Sequence, residues 1–161
     1  MNSAYLILGS NIGNSLEILQ SAVKSIEAEI GIVAAKSNFY FTKAWGNTNQ
    51  PDFINQAIHV ETNLSPQELL EKILAIEKKA GRTRTEIKWE QRTLDIDILF
   101  YNDLIIAQPN LIIPHPFLQE RNFVLTPLLE IAKDFIHPVL KKTILQLSEE
   151  CKDTLEVKKA F

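Results

Sequence analysis

The stretch SPQELLEKILAIEKKAG, residues 65–81, predicts the helix from which the rest of the fold can be worked out. Ser65 suits the N-cap, Pro66 the first helical position and Glu68 the returning arm of a capping box. Apolar side chains then recur at helical spacing, and Gly81 ends the pattern. We therefore expect an amphipathic helix with one face against a core.

Strand and helix patterns alternate on both sides of this helix. A second helix, capped by Asn14, is predicted up to Gly31, and the predicted strands cover 5–8, 32–42, 53–63 and 94–101. The order β-α-β-β-α-β is that of the ferredoxin-like split βαβ arrangement. The predicted fold class is α+β, a ferredoxin-like antiparallel sheet with additional C-terminal helices at 122–132 and 140–151. If both central helices cover one face of the sheet, the other face must be covered or used as a site.

Composition limits the class of protein. The chain has 161 residues, 45% of them apolar, which fits a single domain over 1–161. Its 17 Lys and Arg against 20 Asp and Glu give a net charge of −3, which argues against a domain-wide surface for nucleic acid or membrane. One cysteine, Cys151, excludes an internal disulfide. Since no apolar run approaches a membrane span and no basic residue precedes Lys24, we expect a cytoplasmic protein.

Two aspartates on one predicted strand are the sharpest local feature. Asp95 and Asp97 are two residues apart, so they should share a face about 6.5–7 Å apart along the strand, with Ile96 on the core face. Paired carboxylates suit a hard cation and could bridge two Mg²⁺ ions. The alternative is a solvated sheet face that carries two aspartates. This interpretation is less favoured, because Asp has a low preference for strands.

The segment before the aspartates is rich in cations. Arg82, Arg84, Lys88 and Arg92 all lie within fifteen residues of them. Mobile cations beside a possible Mg²⁺ site suit polyphosphate, whose oxygens arginine binds in pairs. Alternatively, these residues form an ordinary solvated loop and pair with the acidic residues between them.

Two further side chains could belong to the same site. Glu77 lies on or beside the apolar stripe of the helix, where a buried carboxylate needs a partner or a ligand. By itself it is better interpreted as a stripe-edge residue that reaches water. His115 lies between Pro114 and Pro116, which would fix its direction, although a rigid turn with an exposed histidine gives the same pattern.

Aromatic residues on or near predicted loops are a weaker signal. Trp45, Phe53, Trp89 and Phe123 could enclose a planar ring, or they could simply anchor the loops. The glycine-bearing turn 9–14 is neither a dinucleotide fingerprint nor a P-loop.

Taken together, these motifs resemble the 6-hydroxymethyl-7,8-dihydropterin pyrophosphokinase family of folate biosynthesis. The resemblance runs nearly end to end. It is carried by LGSN at 8–11, QPDFIN at 50–55, Glu77 with GRTR at 81–84, Trp89 with RTLDID at 92–97, PHP at 114–116 and RNFVL at 121–125. The family's fold is ferredoxin-like with added helices, in agreement with the predicted element order.

The resemblance implies that pyrophosphate is transferred from ATP, the co-substrate, to the hydroxymethyl oxygen of the pterin, and that AMP is released. Asp95 and Asp97 would bind two Mg²⁺ ions that clamp the triphosphate, and they would act in catalysis with Arg82 and Arg92. Residues implied to bind ATP are Glu77, Arg84, Lys88, Trp89, Ile98, His115 and Arg121. Residues implied to bind the pterin are Thr42, Trp45, Phe53, Asn55 and Phe123. The expected partners are these two small molecules, with no nucleic acid and no membrane, and a monomer is expected.

One other class of function fits the element order. A non-catalytic ferredoxin-like module could bind a small ligand or RNA. An RNA-binding sheet would carry aromatic-rich segments, whereas this chain carries two aspartates that would repel phosphate in the absence of metal.

Overall fold

A computed structural model describes residues 1–11, 14–42, 52–81 and 93–160. The elements in chain order are β1 (Asn2–Ser10), α1 (Ser15–Glu29), β2 (Gly31–Lys36), β3 (Tyr40–Thr42), β4 (Phe53–Thr62), α2 (Pro66–Lys79), β5 (Asp95–Tyr101), β6 (Ile106–Gln108), β7 (Leu111–Ile113), α3 (Asn122–Ala132), α4 (Ile144–Glu150) and β8 (Val157–Lys159). A short 3₁₀ turn, Leu118–Glu120, precedes α3.

The main sheet is antiparallel throughout. Its order is β5-β1-β4-β3-β8, and β2 also pairs with β4. If β2 and β3 are counted as one interrupted strand, the four strands of the β-α-β-β-α-β unit lie in the order fourth, first, third, second. The strand β8 extends the sheet beyond β3, and β6 and β7 form a separate hairpin. The predicted α+β ferredoxin-like class with added helices is therefore the observed architecture.

The predicted helix signals correspond to real caps. The Ser65 hydroxyl accepts a hydrogen bond from the Glu68 amide at 3.2 Å, and the Ser65 amide donates to the Glu68 carboxylate at 2.9 Å. Gly81, just past the end of α2, has φ +91°, a left-handed conformation that glycine adopts without steric cost. The predicted helix at 122–132 has the same bounds as α3.

Two predicted elements differ from the structure. The single strand at 32–42 is interrupted at Ser37, whose hydroxyl accepts a hydrogen bond from the Ala57 amide at 3.0 Å and replaces a ladder partner. The helix predicted at 140–151 begins only at Ile144, because Lys141 has φ +60° and Thr143 forms the capping box. The hairpin of β6 and β7 and the strand β8 were not predicted.

Each face of the sheet carries its own apolar cluster. On the first face, α1 and α2 pack against alternate residues of β1, β4 and β5. On the second face, α3 and α4 pack against Tyr5, Ile7, Ala57 and Phe100. Within the described ranges no helix is long and apolar enough to cross a membrane.

Candidate functional site

Polar side chains meet at one end of the second face. Residues directly opposite one another in an antiparallel pair point to the same face. Asp95 of β5, Gly9 of β1 and Asn55 of β4 form one such row, and Asp97 begins the next. Neighbouring strands are about 4.8 Å apart, so Asp95 and Asn55 face one another across roughly 10 Å. The apolar cluster of this face begins in the following row, at Ile7 and Ala57.

Glycine in the middle of the row leaves room for the side chain of Asn55. A Cβ on Gly9 would lie 2.7 Å from Asn55 Oδ1, well inside contact distance. The Asn55 side chain therefore extends over β1, toward the side on which Asp95 lies. Its Nδ2 donates to Thr42 Oγ1 at 2.9 Å, and both residues are buried. The sequence signal LGSN marks a glycine here, but nothing in it shows that Asn55 is its neighbour.

The two aspartates occupy the predicted face of β5. Asp97 is exposed and Asp95 half-buried, while Ile96 and Ile98 are buried in the cluster beneath α1 and α2. Two carboxylates on one strand face, with apolar side chains behind them, are thus present as predicted.

Glu77 is not a stripe-edge residue that reaches water. Only 3% of it is exposed, and its Oε2 accepts a hydrogen bond from the Ile96 amide at 2.8 Å. Since β5 is an edge strand, this amide points away from β1 and needs a partner from elsewhere. Glu77 of α2 supplies this partner, so it holds β5 at Ile96, the residue between the two aspartates.

An open pocket of about 270 Å³ lies along the outer edge of β5. Amide directions alternate along a strand, so the main-chain groups of Ile98 point to the same outer edge as those of Ile96. The pocket brings Asp97, Ile98 and His115 together. The other lining residues are apolar in type except Asn110: Leu70 of α2, Ile96, Pro109, Leu111, Ile112 and Pro116. Such a lining can hold a small molecule that has an apolar part and a polar group near Asp97 and His115.

His115 is a neutral imidazole held in a fixed direction. Its amide donates to the Leu99 carbonyl at 3.0 Å, and its Nδ1 accepts from the Phe117 amide at 3.2 Å. Because Nδ1 is the acceptor, Nε2 carries the proton and can donate to a ligand. Burial, and then the nearby positive charge of Arg121, lower the pKa of His115 to about 4.

The Arg121 guanidinium lies close to two aromatic rings. Its guanidinium carbon lies 5.2 Å from the Phe117 ring centre and 5.7 Å from that of Phe123, both within cation–π range. Arg121 and Phe123 are the predicted residues here. Phe117 was not predicted, because no sequence pattern ties it to Arg121.

Several predicted residues lie outside the described ranges: Trp45, Arg82, Arg84, Lys88, Trp89 and Arg92. Phe53 is half-buried on β4, directly opposite Thr42 on β3. Among the described residues, no three His, Cys, Asp or Glu side chains come together as a metal-binding group.

Comparison with known proteins identifies the family. The family model described as 7,8-dihydro-6-hydroxymethylpterin-pyrophosphokinase matches residues 5–133. This chain belongs to that family. Two curated relatives, both named 2-amino-4-hydroxy-6-hydroxymethyldihydropteridine pyrophosphokinase, support the assignment. The Synechocystis protein is 47% identical, covering 92% of this chain and 76% of the relative. The Aquifex aeolicus protein is 42% identical, covering 93% and 92%.

Solved structures of the pyrophosphokinase family share the fold. The crystal structure of Plasmodium falciparum HPPK-DHPS, wild type with SDX-DHP, superposes with a TM-score of 0.75 at 20% identity. The match covers 93% of this chain but 43% of that longer chain. At this identity the likeness supports the fold alone, and it confirms the ferredoxin-like prediction. The resemblance found in the sequence is confirmed by the family match.

The lowered pKa of His115 predicts an acid-sensitive fold. The unfolded chain, with an ordinary histidine pKa near 6.5, binds a proton between about pH 6.5 and 4, whereas folded His115 does not. The free energy of unfolding should therefore fall as the pH drops through this window. His115→Gln should make this pH-dependent fall in the free energy of unfolding shallower, as measured by denaturant titrations at pH 7, 5.5 and 4.5.

NMR titration of the wild-type His115 imidazole should give a midpoint near 4, and a midpoint near 6.5 would contradict a neutral His115.

Proposed function

We propose that this protein transfers pyrophosphate from ATP to the hydroxymethyl oxygen of 6-hydroxymethyl-7,8-dihydropterin and releases AMP. The observation that carries the proposal is the polar end of the second sheet face, where Asp95 and Asp97 share a face with Asn55 across Gly9. Family membership over residues 5–133 supports it. ATP is the co-substrate of this family, and we propose that residues 1–161 form one such domain, monomeric and cytoplasmic.

The pterin half of the proposed site is built around Asn55. A pterin edge carries neighbouring hydrogen-bond donors and acceptors, and an amide side chain can match both. Thr42 holds Asn55 through the 2.9 Å hydrogen bond, so the amide is oriented before a ligand arrives. Phe53 is half-buried on β4 two residues before Asn55, and Phe123 is partly buried against the apolar cluster of the second face; we propose that both stack on the pterin ring. We assign Trp45 to the same half.

The nucleotide half is the pocket at the edge of β5. The adenine ring would lie on its apolar lining, where the main chain of Ile98 offers edge-strand hydrogen bonds. His115 would donate from Nε2 to a phosphate oxygen without adding charge. Arg121 would add a positive charge whose direction the Phe117 and Phe123 rings restrict. We assign Glu77 to this half as the residue that holds β5, through the Ile96 amide, at the pocket wall.

The residues present fit Mg²⁺. Magnesium in phosphotransfer sites is held by one or two carboxylates together with substrate phosphates, rather than by a cage of protein ligands. Asp95 and Asp97 supply two carboxylates on one face, and Asp97 also lines the nucleotide pocket. They would hold two Mg²⁺ ions, which when bound would neutralise charge on the triphosphate and orient it.

The chain's own part in the chemistry is placement and charge. Transfer to the hydroxymethyl oxygen needs that oxygen in line with the β-phosphorus and the leaving group. Asp95 and Asn55 lie roughly 10 Å apart across β1, so a triphosphate held at Asp95 would lie beside a pterin held at Asn55. We propose that Arg82 and Arg92 stabilise the charge that develops, and that Arg84, Lys88 and Trp89 close over ATP and exclude water.

The nucleotide product tests the proposed reaction directly. Incubation with ATP, Mg²⁺ and 6-hydroxymethyl-7,8-dihydropterin should yield AMP and a pterin carrying two phosphates, scored by anion-exchange chromatography. ADP as the nucleotide product would refute pyrophosphoryl transfer. A chain that binds the pterin but never consumes ATP would favour the non-catalytic module.

Asp97→Asn should separate metal binding from folding. It keeps the side-chain size and removes one negative charge from an exposed position on β5, and thermal unfolding of the variant measures any change in stability separately. We expect kcat to fall by about 10²-fold or more, by analogy with the loss of one catalytic electrostatic contact, and Mg²⁺-dependent binding of a non-hydrolysable ATP analogue to weaken in calorimetry. Asp103→Asn removes the same charge from an exposed residue just beyond the other end of β5 and should leave both unchanged. Near-normal turnover in Asp97→Asn would contradict the metal assignment.

Gly9→Ala should damage the pterin half alone. The added Cβ would displace Asn55 Oδ1, the tip of a side chain, so the strand can remain in place while the amide moves. We expect the pterin KM to rise about tenfold, the effect of losing roughly 1.4 kcal/mol of binding, with the ATP KM nearly unchanged. Steady-state kinetics with each substrate varied would measure this. Equal loss for both substrates would instead indicate general damage to the sheet.

A further inference from the structure

The segment that follows α4, residues 152–160, makes two contacts with elements that carry residues of the proposed site. At one place it reaches the start of α3, and at the other it forms β8 beside β3. None of its residues was assigned a role from the sequence.

The first contact joins Asp153 to Asn122. The Asn122 amide donates to Asp153 Oδ2 at 3.0 Å, and Asn122 Nδ2 donates to the Asp153 carbonyl at 2.7 Å. The other carboxylate oxygen accepts from the Leu155 amide at 2.9 Å, which fixes the carboxylate itself. A pair 31 residues apart in sequence is thus joined by two hydrogen bonds.

This contact replaces a missing helix cap. The N-cap residue of α3, Arg121, makes no side-chain capping bond, and the first turn contains no acidic residue. Amides at a helix start need acceptors and favour a negative charge nearby. Asp153 provides both from outside the helix.

The capped residue lies between two residues of the proposed site. Asn122 follows Arg121 and precedes Phe123, and the guanidinium of Arg121 lies over the Phe123 ring at 5.7 Å. Fixing the amide and the side chain of Asn122 fixes the main chain from which both neighbours project. Asp153 therefore supports the main chain from which Phe123 projects.

The second contact supports the other wall of the pterin half. The strand β3 is only three residues long and lies between β4 and β8. Thr42 pairs with Val157 of β8 on one side and with Phe53 of β4 on the other. The Ala160 amide extends this edge by donating to the Phe39 carbonyl at 2.8 Å. Thr42 in turn accepts the hydrogen bond that orients Asn55.

We propose that Asp153 and Asn122 are positioning residues for the pterin half of the site. Through them, residues 152–160 tie the start of α3 to the strand that carries Thr42, so that Phe123 and Asn55 keep a fixed separation. This inference rests on the proposed function, because it names what the fixed separation serves.

Asp153→Ala tests the proposal, with Thr143→Ala as its matched control. Both remove the side-chain cap of a helix on the second face, and each should lower Tm by about 2–4 °C. Asp153→Ala should also raise the pterin KM about tenfold, more than it changes the ATP KM, whereas Thr143→Ala should change neither. Asp153→Asn retains one acceptor oxygen and should give an intermediate pterin KM. An unchanged pterin KM in Asp153→Ala, with the same fall in Tm as the control, would overturn the proposal.

Amide hydrogen exchange tests the positioning role of Asp153 independently of the proposed reaction. If the wild-type protein forms no AMP, the proposed function fails, but the link that residues 152–160 make between α3 and β3 can still be measured. Asp153→Ala should then speed amide exchange at 122–124 and 40–42 relative to Thr143→Ala. Equal exchange in the two variants at both places would show that Asp153 does not link α3 to β3.

Discussion

The sheet has two apolar faces to bury, and the apolar packing of the second face ends before the strands do. On the first face, α1 and α2 cover the sheet with a continuous cluster. On the second, the cluster under α3 and α4 begins at Ile7 and Ala57, and the row before it is Asp95, Gly9 and Asn55. At a row of small and polar residues beyond the packed part of a face, a bound ligand can take the place of apolar side chains, and the proposed site lies there.

Electrostatics explains why such a site would need added cations. The chain has a net charge of −3, and the described part of the site carries the carboxylates of Asp95 and Asp97. His115 cannot offset them, because burial and Arg121 lower its pKa to about 4 and keep it neutral. A polyphosphate would be repelled by this arrangement unless metal ions and further arginines accompanied it. The same negative charge that disfavours nucleic acid is thus compatible with a magnesium nucleotide.

The helices were predictable because their signals are local, whereas the site depends on register. The capping box at Ser65 acts within four residues, so the sequence alone is sufficient to place α2. The contact of Asn55 with Gly9 depends on how β1 and β4 pair, for which the sequence has no local signal. The burial of Glu77 was not predictable for a similar reason. The amide that its carboxylate accepts from, that of Ile96, lies on a different element 19 residues further along the chain. The cationic residues from Arg82 to Arg92 lie outside the described residues, so the roles predicted for them stay predictions.

We place the pterin at the polar end of the second sheet face and the nucleotide at the adjoining edge of β5, and amide chemical-shift mapping would show whether both bind there. Titration of the labelled protein with 6-hydroxymethylpterin and then with a non-hydrolysable ATP analogue and Mg²⁺ should shift two sets of signals. The pterin should shift Gly9, Thr42 and Asn55, and the nucleotide should shift Ile98 and His115. Shifts centred on the outer surfaces of α1 and α2, with the signals of this end of the sheet unchanged, would refute this placement of the two substrates.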